Sequence, residues 1–206
     1  MQTDYQTALA FISQNDKTLG RYIKKVGPCT LSTSRNQNPF SSLLTAIVYQ
    51  QLHAKAAETI LNRFLALYPG KRFPAPEDVL KTNEKKMLAA GLSRSKMLSI
   101  KDLALKTKEG VVPSLRQIKK MSNEEIQIRL TSIRGIGRWT VDMFLIFKLG
   151  RLDVVAATDY GVRQGFKLVY KLEELPTPEQ IEEKSKKWQP YASLASWYFW
   201  RVLELK

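Results

Sequence analysis

Apolar residues recur at three- and four-residue spacing along nearly the whole chain, and no segment sustains the alternation of a half-buried strand. That periodicity predicts an all-α protein. Leu9, Phe11 and Ile12 open a first helix, and Leu19, Tyr22 and Ile23 fit a second that the Gly27-Pro28 pair ends. After the polar stretch Ser32 to Asn38, Pro39 leads into Phe40, Leu43, Leu44, Ile47 and Val48 on a buried helix, which suggests a lobe boundary. The pattern restarts beyond Gln50-Gln51-Leu52-His53 and stops at Pro69-Gly70. Short helices are expected at Asp78 to Leu80 and Thr82 to Ala90, with a longer one capped by Ser93. Ser122 with Glu125 makes a capping box, and Gly150 closes the helix that ends near Leu149. Thr177-Pro178 starts a helix to about Trp188, and an aromatic-rich helix runs from about Tyr191 to the end.

The most informative stretch is Leu130 to Thr140, where a helix end, a Gly-x-Gly turn and a new helix start follow one another. Gly135 and Gly137 can take positive φ and carry no Cβ, so a phosphate can come close to the backbone. The next helix then offers N–H groups and the positive end of its dipole. A tight αα-hairpin turn explains the same residues equally well.

The chain of 206 residues carries 33 Lys and Arg against 19 Asp and Glu, a net charge of +14, while 44% hydrophobic and 10% aromatic residues exclude a disordered basic tail. The surplus favours a polyanion, because each phosphate neutralised releases condensed counterions. A lysine-rich solubilising surface, or a face for anionic lipid, fits the charge too. One cysteine, Cys29, excludes a disulfide framework, a thiolate zinc site and a four-cysteine iron-sulfur cluster, and one histidine argues against a histidine-based metal site. The first 16 residues lack the basic start and apolar run of a signal peptide, and no apolar stretch approaches the roughly 20 residues of a membrane span. An intracellular, soluble protein without a membrane role is expected.

Downstream of the hairpin comes Ala156-Ala157-Thr158-Asp159-Tyr160-Gly161-Val162-Arg163. The run from Leu130 to Gly165 resembles the helix-hairpin-helix and aspartate signature of base-excision DNA glycosylases, in particular the 3-methyladenine DNA glycosylase II branch. Three further blocks agree in order: Ile47 to Leu52; Ala90-Gly91-Leu92-Ser93 with Lys96; and Trp188 to Tyr191 with Ser193, Ala195, Tyr198, Trp200 and Arg201. The resemblance extends from about Pro39 onward. It implies a two-lobed all-α fold with a cleft between the lobes, one lobe of 39–154 containing the hairpin 130–140 and the other of 1–38 with 155–206. It further implies a monomer that acts on double-stranded DNA with alkylated bases, in the nucleoid of a bacterium or the nucleus of a eukaryote.

By the same resemblance Arg134, Gly135, Ile136, Gly137, Arg138 and Thr140 form the DNA-binding hairpin. The backbone carbonyls of Thr131, Ile133 and Ile136 stand where relatives hold a potassium or sodium ion. Asp159 takes the position of the catalytic carboxylate. Breaking an N-glycosidic bond develops oxocarbenium character, which a carboxylate can stabilise while it orients or activates water. On the residues alone, Thr158 or Asp159 is first of all an N-cap for the helix through Val162, Phe166 and Val169, and the two roles are compatible. Trp139 stands where strand-cleaving relatives carry the lysine that forms a Schiff base. A monofunctional glycosylase is therefore implied, one that hydrolyses 3-methyladenine-like purines and leaves an abasic site without a required cofactor.

Such an enzyme must flip its target base out of the duplex. Trp139 and Trp200 match pocket aromatics that could attract a cationic alkylated base, and Met143 stands where some relatives place another aromatic. Packing of the last helix would explain Trp200 as well. Gln51, Leu52 and His53 match a minor-groove wedge, with Gln51 as plug, Leu52 in support and His53 as a groove contact. An ordinary corner with Leu52 facing the core is the simpler alternative. The other functional class is a noncatalytic DNA-structure binder on the same scaffold, which gives Asp159 and the two tryptophans no joint purpose.

Overall fold

The computed structural model describes residues 5–34 and 38–205, among which every regular element is helical. In chain order these are α1 (Gln6–Asn15), α2 (Lys17–Val26), α3 (Pro39–Tyr49), α4 (Ala54–Leu65), α5 (Pro76–Lys81), α6 (Glu84–Ala89) and α7 (Arg94–Lys108). They continue with α8 (Leu115–Ile118), α9 (Asn123–Thr131), α10 (Arg138–Phe144), a π-helical turn (Leu145–Leu149), α11 (Tyr160–Tyr170), α12 (Pro178–Ser185) and α13 (Ala192–Val202). No helix among the described residues is long and apolar enough to cross a membrane.

Caps set most of these boundaries. Asn38 Oδ1 accepts the Phe40 amide at 2.9 Å ahead of Pro39, where a missing N–H costs nothing. Ser93 Oγ accepts Lys96 N–H at 3.2 Å, and Ser122 with Glu125 closes the expected capping box. Thr177 starts α12 as read, but that helix stops at Ser185 rather than near Trp188. The helix expected to run unbroken to Leu149 instead widens into the π-helical turn after Phe144.

The chain divides into two compact units, Met1–Arg35 with Leu145–Lys206, and Asn36–Phe144. The second division thus falls at 144/145 rather than the expected 154/155. Hydrogen bonds explain why. Ser193 N–H donates to the Leu152 carbonyl at 2.9 Å, Ser193 Oγ donates to the Arg151 carbonyl at 2.7 Å, and Val154 N–H donates to Ser193 Oγ at 3.0 Å. The segment after the π-helical turn is laced to α13.

The unit built from both chain ends packs Ile12, Leu19, Val162 and Val169 with an aromatic cluster in which Phe199 lies 5.3 Å from Trp188 and 5.5 Å from Phe166. Helices α11 and α13 cross closely at Gly165, where a Cβ would stand 2.0 Å from the Phe199 carbonyl oxygen. Asp16, buried at the start of α2, accepts the Leu19 amide at 3.0 Å, Tyr170 Oη–H at 2.5 Å and the Trp188 indole N–H at 3.1 Å. One carboxylate thereby joins an N-cap to two distant segments.

In the other unit α7 is central, with Met97, Ile100, Leu103 and Ala104 buried. Around it lie Leu43, Leu44 and Ile47 of α3, Val79 of α5 and Met87 of α6, all fully or almost fully buried. Each large apolar side chain removed from water in this way contributes about 1.5–3 kcal/mol. Lys96, Ser99 and Asp102 of α7, with Ser99 itself buried, carry polar side chains to the loops described next.

Candidate functional site

Two groups of predicted residues lie in the two units, and each is built from its own neighbours. The first is the hairpin between α9 and α10. Ile133 and Ile136 are buried and pin the turn, in which Ile133 N–H donates to the Leu130 carbonyl at 3.2 Å and Ile136 N–H to the Ile133 carbonyl at 3.1 Å. Gly135 has φ +74°, the conformation that favours glycine, and a Cβ there would also crowd Ser99 Oγ at 2.5 Å. Gly137 does not adopt positive φ, contrary to expectation. Its carbonyl accepts the Val141 amide at 3.2 Å, which makes it the residue that opens α10, a place where ordinary extended geometry suffices. A Cβ on Gly137 would meet nothing within 4 Å, so the approach to this backbone is open.

Arg134 and Arg138 are exposed on the turn. The Arg134 amide, however, donates to Asp102 Oδ2 at 2.8 Å and is spent within the protein. Thr140, expected on the DNA side, is 4% exposed, and its hydroxyl accepts Gln50 Nε2–H at 3.3 Å. It holds the hairpin from inside because α10 turns that position toward α3.

The corner Gln50 to His53 joins α3 to α4. Gln51 takes φ +55°, a left-handed conformation that costs a non-glycine residue about 1–2 kcal/mol. Leu52 is 38% exposed, which removes the simple reading of a core-facing leucine. His53 is exposed and precedes α4 without a side-chain cap. Lys96 Nζ donates to the carbonyls of Val48 at 2.7 Å and Gln50 at 2.8 Å, so an ammonium serves the carbonyls that α3 leaves without donors. Burial pushes this amine below the usual lysine range. Tyr49, Gln51, Ser95, Lys96, Trp139 and Met143 line an open cavity of about 660 Å³. Trp139, 44% exposed, and Met143 are thus brought to the same hollow as the candidate plug Gln51.

The second group centres on Asp159, which is the N-cap of α11. Its Oδ1 accepts the Val162 amide at 2.8 Å and also the indole N–H of Trp200 at 2.7 Å. Two donors on one oxygen fix the plane of the carboxylate. Trp200 stacks on Phe147 of the π-helical turn, with centroids 5.7 Å apart and planes inclined by 29°. Its neighbours Trp197, Tyr198 and Phe199 are core residues, whereas Trp200 stays partly exposed. Gly161 makes the contact possible: a Cβ there would lie 2.9 Å from Trp200 Cδ1 and 3.1 Å from Asp159 Oδ1. Trp200, expected as a pocket aromatic, is therefore first of all the partner of Asp159.

Ser99, Asp102 and Phe147 carry no role on the sequence alone, and Gln50, Lys96 and Gly161 stand there only as members of matched blocks. The three-residue spacing of Lys96, Ser99 and Asp102 on one helix face was available as a signal. Phe147 offered none, since an aromatic in an apolar run reads as core.

The chain as a whole is similar to known proteins. Residues 44–190 match the model of the HhH-GPD superfamily base excision DNA repair protein. DNA-3-methyladenine glycosylase 1 of Schizosaccharomyces pombe is 37% identical over 204 residues, covering 98% of this chain and 90% of that protein. The alkylbase DNA glycosidase-like protein mag2 of the same yeast is 33% identical, over 98% of this chain and 96% of its own length. A solved structure of the Schizosaccharomyces pombe 3-methyladenine DNA glycosylase in complex with abasic DNA superposes with a TM-score of 0.83, covering 97% of each chain. With a family model matched over residues 44–190 and relatives aligned nearly end to end, the chain belongs to the HhH-GPD superfamily of base excision DNA repair proteins.

Proposed function

We propose that this protein is a monofunctional DNA glycosylase of base excision repair, which extrudes an alkylated purine of the 3-methyladenine kind from duplex DNA and hydrolyses its N-glycosidic bond. The Schizosaccharomyces pombe relative is named a DNA-3-methyladenine glycosylase, which supports this reading. The observation that carries the reaction here is the doubly held carboxylate of Asp159. As the C1′–N bond breaks, its electron pair leaves with the base. A base made cationic by ring alkylation departs neutral, so the leaving group needs no proton donor. The sugar becomes oxocarbenium-like, and a carboxylate with a fixed plane stabilises that charge without reorganising. Water then adds to C1′ and gives up a proton, leaving an abasic site.

The DNA-holding parts follow from the hairpin and corner. Arg134 and Arg138 offer charge to phosphates, and the open backbone at Gly137 lets one come close. The carbonyls of Thr131, Ile133 and Ile136 suit a potassium or sodium ion, being neutral oxygens at a helix end; that of Ile133 accepts one N–H and keeps a second lone pair. A cation held there would supply charge for a DNA phosphate. Gln51 fills the gap left by the extruded nucleotide, supported by Leu52 and His53, while Trp139 and Met143 face the base. The protein acts as a monomer at DNA inside the cell.

Base release from methylated duplex DNA, compared between wild type and Asp159→Asn, tests the reading. Loss of one charge-stabilising group predicts a fall of about 100-fold or more. Borohydride added during turnover traps no covalent adduct, because Trp139 offers no amine. A wild type that binds DNA yet releases no base from alkylated or deaminated substrates would make it a DNA-structure binder instead.

A further inference from the structure

Both DNA-facing loops of the Asn36–Phe144 unit are tied to one face of one helix. Lys96, Ser99 and Asp102 follow each other at three-residue intervals on α7, so their side chains leave on the same side. Lys96 holds the corner through the Val48 and Gln50 carbonyls at 2.7 and 2.8 Å. Ser99 packs against Gly135, where an added Cβ would stand 2.5 Å from Ser99 Oγ and 3.1 Å from its Cβ. Asp102 holds the hairpin through the Arg134 amide at 2.8 Å. Gln50 closes the loop, its Nε2 donating to the Gly135 carbonyl at 2.9 Å and to Thr140 Oγ1 at 3.3 Å.

We propose that α7 is a splint that presets the spacing between wedge corner and phosphate-binding hairpin, with Lys96 the positioning residue through which lesion recognition depends on it. The inference rests on the wedge role given above to Gln51. Two physical oddities point the same way. A lysine in the first turn of a helix sits at the positive end of the dipole, so Lys96 works against α7 itself. Gln51 holds a left-handed conformation that its surroundings must impose, and Lys96 binds the carbonyls just before it. A side chain can replace an extruded nucleotide only if it is held at a set distance from the phosphates that the hairpin grips, since a slack corner would lose the insertion and keep the grip.

Lys96→Met removes both hydrogen bonds at nearly constant bulk, and Lys96→Arg restores a cationic donor. The probes are a duplex with a tetrahydrofuran abasic-site analogue beside 2-aminopurine, and the same duplex undamaged. Wild type should prefer the analogue and raise the 2-aminopurine fluorescence as the wedge unstacks it. Lys96→Met should cut the affinity ratio about tenfold, equivalent to ~1.4 kcal/mol, and abolish the fluorescence rise; Lys96→Arg should recover most of both. A folded Lys96→Met protein whose ratio and fluorescence match wild type, or whose affinities for both duplexes fall equally, overturns the proposal. Should Lys96→Met not fold, Gln50→Met is measured in the same way, and an unchanged ratio there overturns it too. Neither readout involves bond cleavage. A protein that inserts its wedge but releases no base would sink the glycosylase reading alone; a wild type without preference for the analogue sinks the splint.

Discussion

Gly161→Ala tests whether Asp159 is a helix cap alone or also the reacting carboxylate proposed above. Gly161 lies in the first turn of α11 and has no positive φ, so the backbone does not require glycine, and alanine is the better helix former by about 0.8–1 kcal/mol. A purely local view predicts a neutral or slightly stabilising change. The surroundings predict otherwise for activity. The added Cβ would sit 2.9 Å from Trp200 Cδ1, 3.3 Å from its Nε1 and 3.1 Å from Asp159 Oδ1. Ordinary contact begins at 3.4 Å, so the indole must retreat by about half an ångström or more. Its N–H bond to the carboxylate, now 2.7 Å, then stretches to the edge of useful length, and the ring cannot swing far without giving up its stack on Phe147.

A hydrogen bond to a charged group is worth about 1.5–3 kcal/mol. If it is needed to aim the carboxylate in the transition state, its loss lowers the cleavage rate about 10- to 100-fold. Single-turnover base release with enzyme in excess over methylated duplex measures that rate free of product release, and a thermal melt run alongside shows whether stability stays within about 0.5 kcal/mol of wild type. Trp200→Phe is the companion: it keeps an aromatic ring for Phe147 and removes only the donor, so it should slow the step to a similar degree. Full single-turnover rates in both variants would refute the assignment of Trp200 as the group that aims Asp159.

At the neighbouring close approach, Gly165→Ala drives a Cβ to within 2.0 Å of the Phe199 carbonyl oxygen and 2.6 Å of its carbon. Backbone atoms cannot yield, so α11 and α13 must part, costing about 3 kcal/mol in urea unfolding; a loss under 1 kcal/mol contradicts this packing. Burial pushes the phenols of Tyr170 and Tyr198 up, helped by Asp16 at Tyr170 and by Cys29 at Tyr198. The folded chain therefore keeps protons that the unfolded chain sheds near pH 10, and stability present below that pH falls above it by up to about 1.4 kcal/mol per pH unit per tyrosine. Urea titrations between pH 9 and 11.5 should show the fall, and Tyr170→Phe should flatten it; an unchanged slope in that variant would remove Tyr170 from the account.

What could be read from the residues was whatever local chemistry decides. Ser93, Ser122 with Glu125, and Thr177 before Pro178 announce helix starts because a cap is made within four residues. Gly135 was legible for the same reason, as a turn. The unit boundary after Phe144 was not, because it depends on Ser193 bonding to Arg151, Leu152 and Val154 from a helix far along the chain. Nor was the π-helical turn, since an apolar run such as Phe144 to Leu149 looks the same in either helical register. The burial of Thr140 is not legible either: its motif position points to the DNA, whereas the phase of α10 turns its hydroxyl to Gln50. Helix phase is set by packing, and no count along the hairpin supplies it.

Asp159 shows why the modest and the functional readings of one residue need not compete. The cap to Val162 is real and would be satisfied by serine, threonine or asparagine at similar cost, so the cap does not explain an aspartate. What the cap does is hold the side chain at the start of a helix, fixed by one N–H. The Trp200 indole adds a second donor from a helix whose other aromatics are all core, and Gly161 leaves the gap through which that donor reaches. A tryptophan taken partly out of the core and a helix-start residue kept without a side chain are both poor choices for stability alone. They make sense together if the oxygen they surround has to be aimed. The proposed role of this carboxylate therefore rests less on its own identity than on Trp200 and Gly161, whose local interests it overrides.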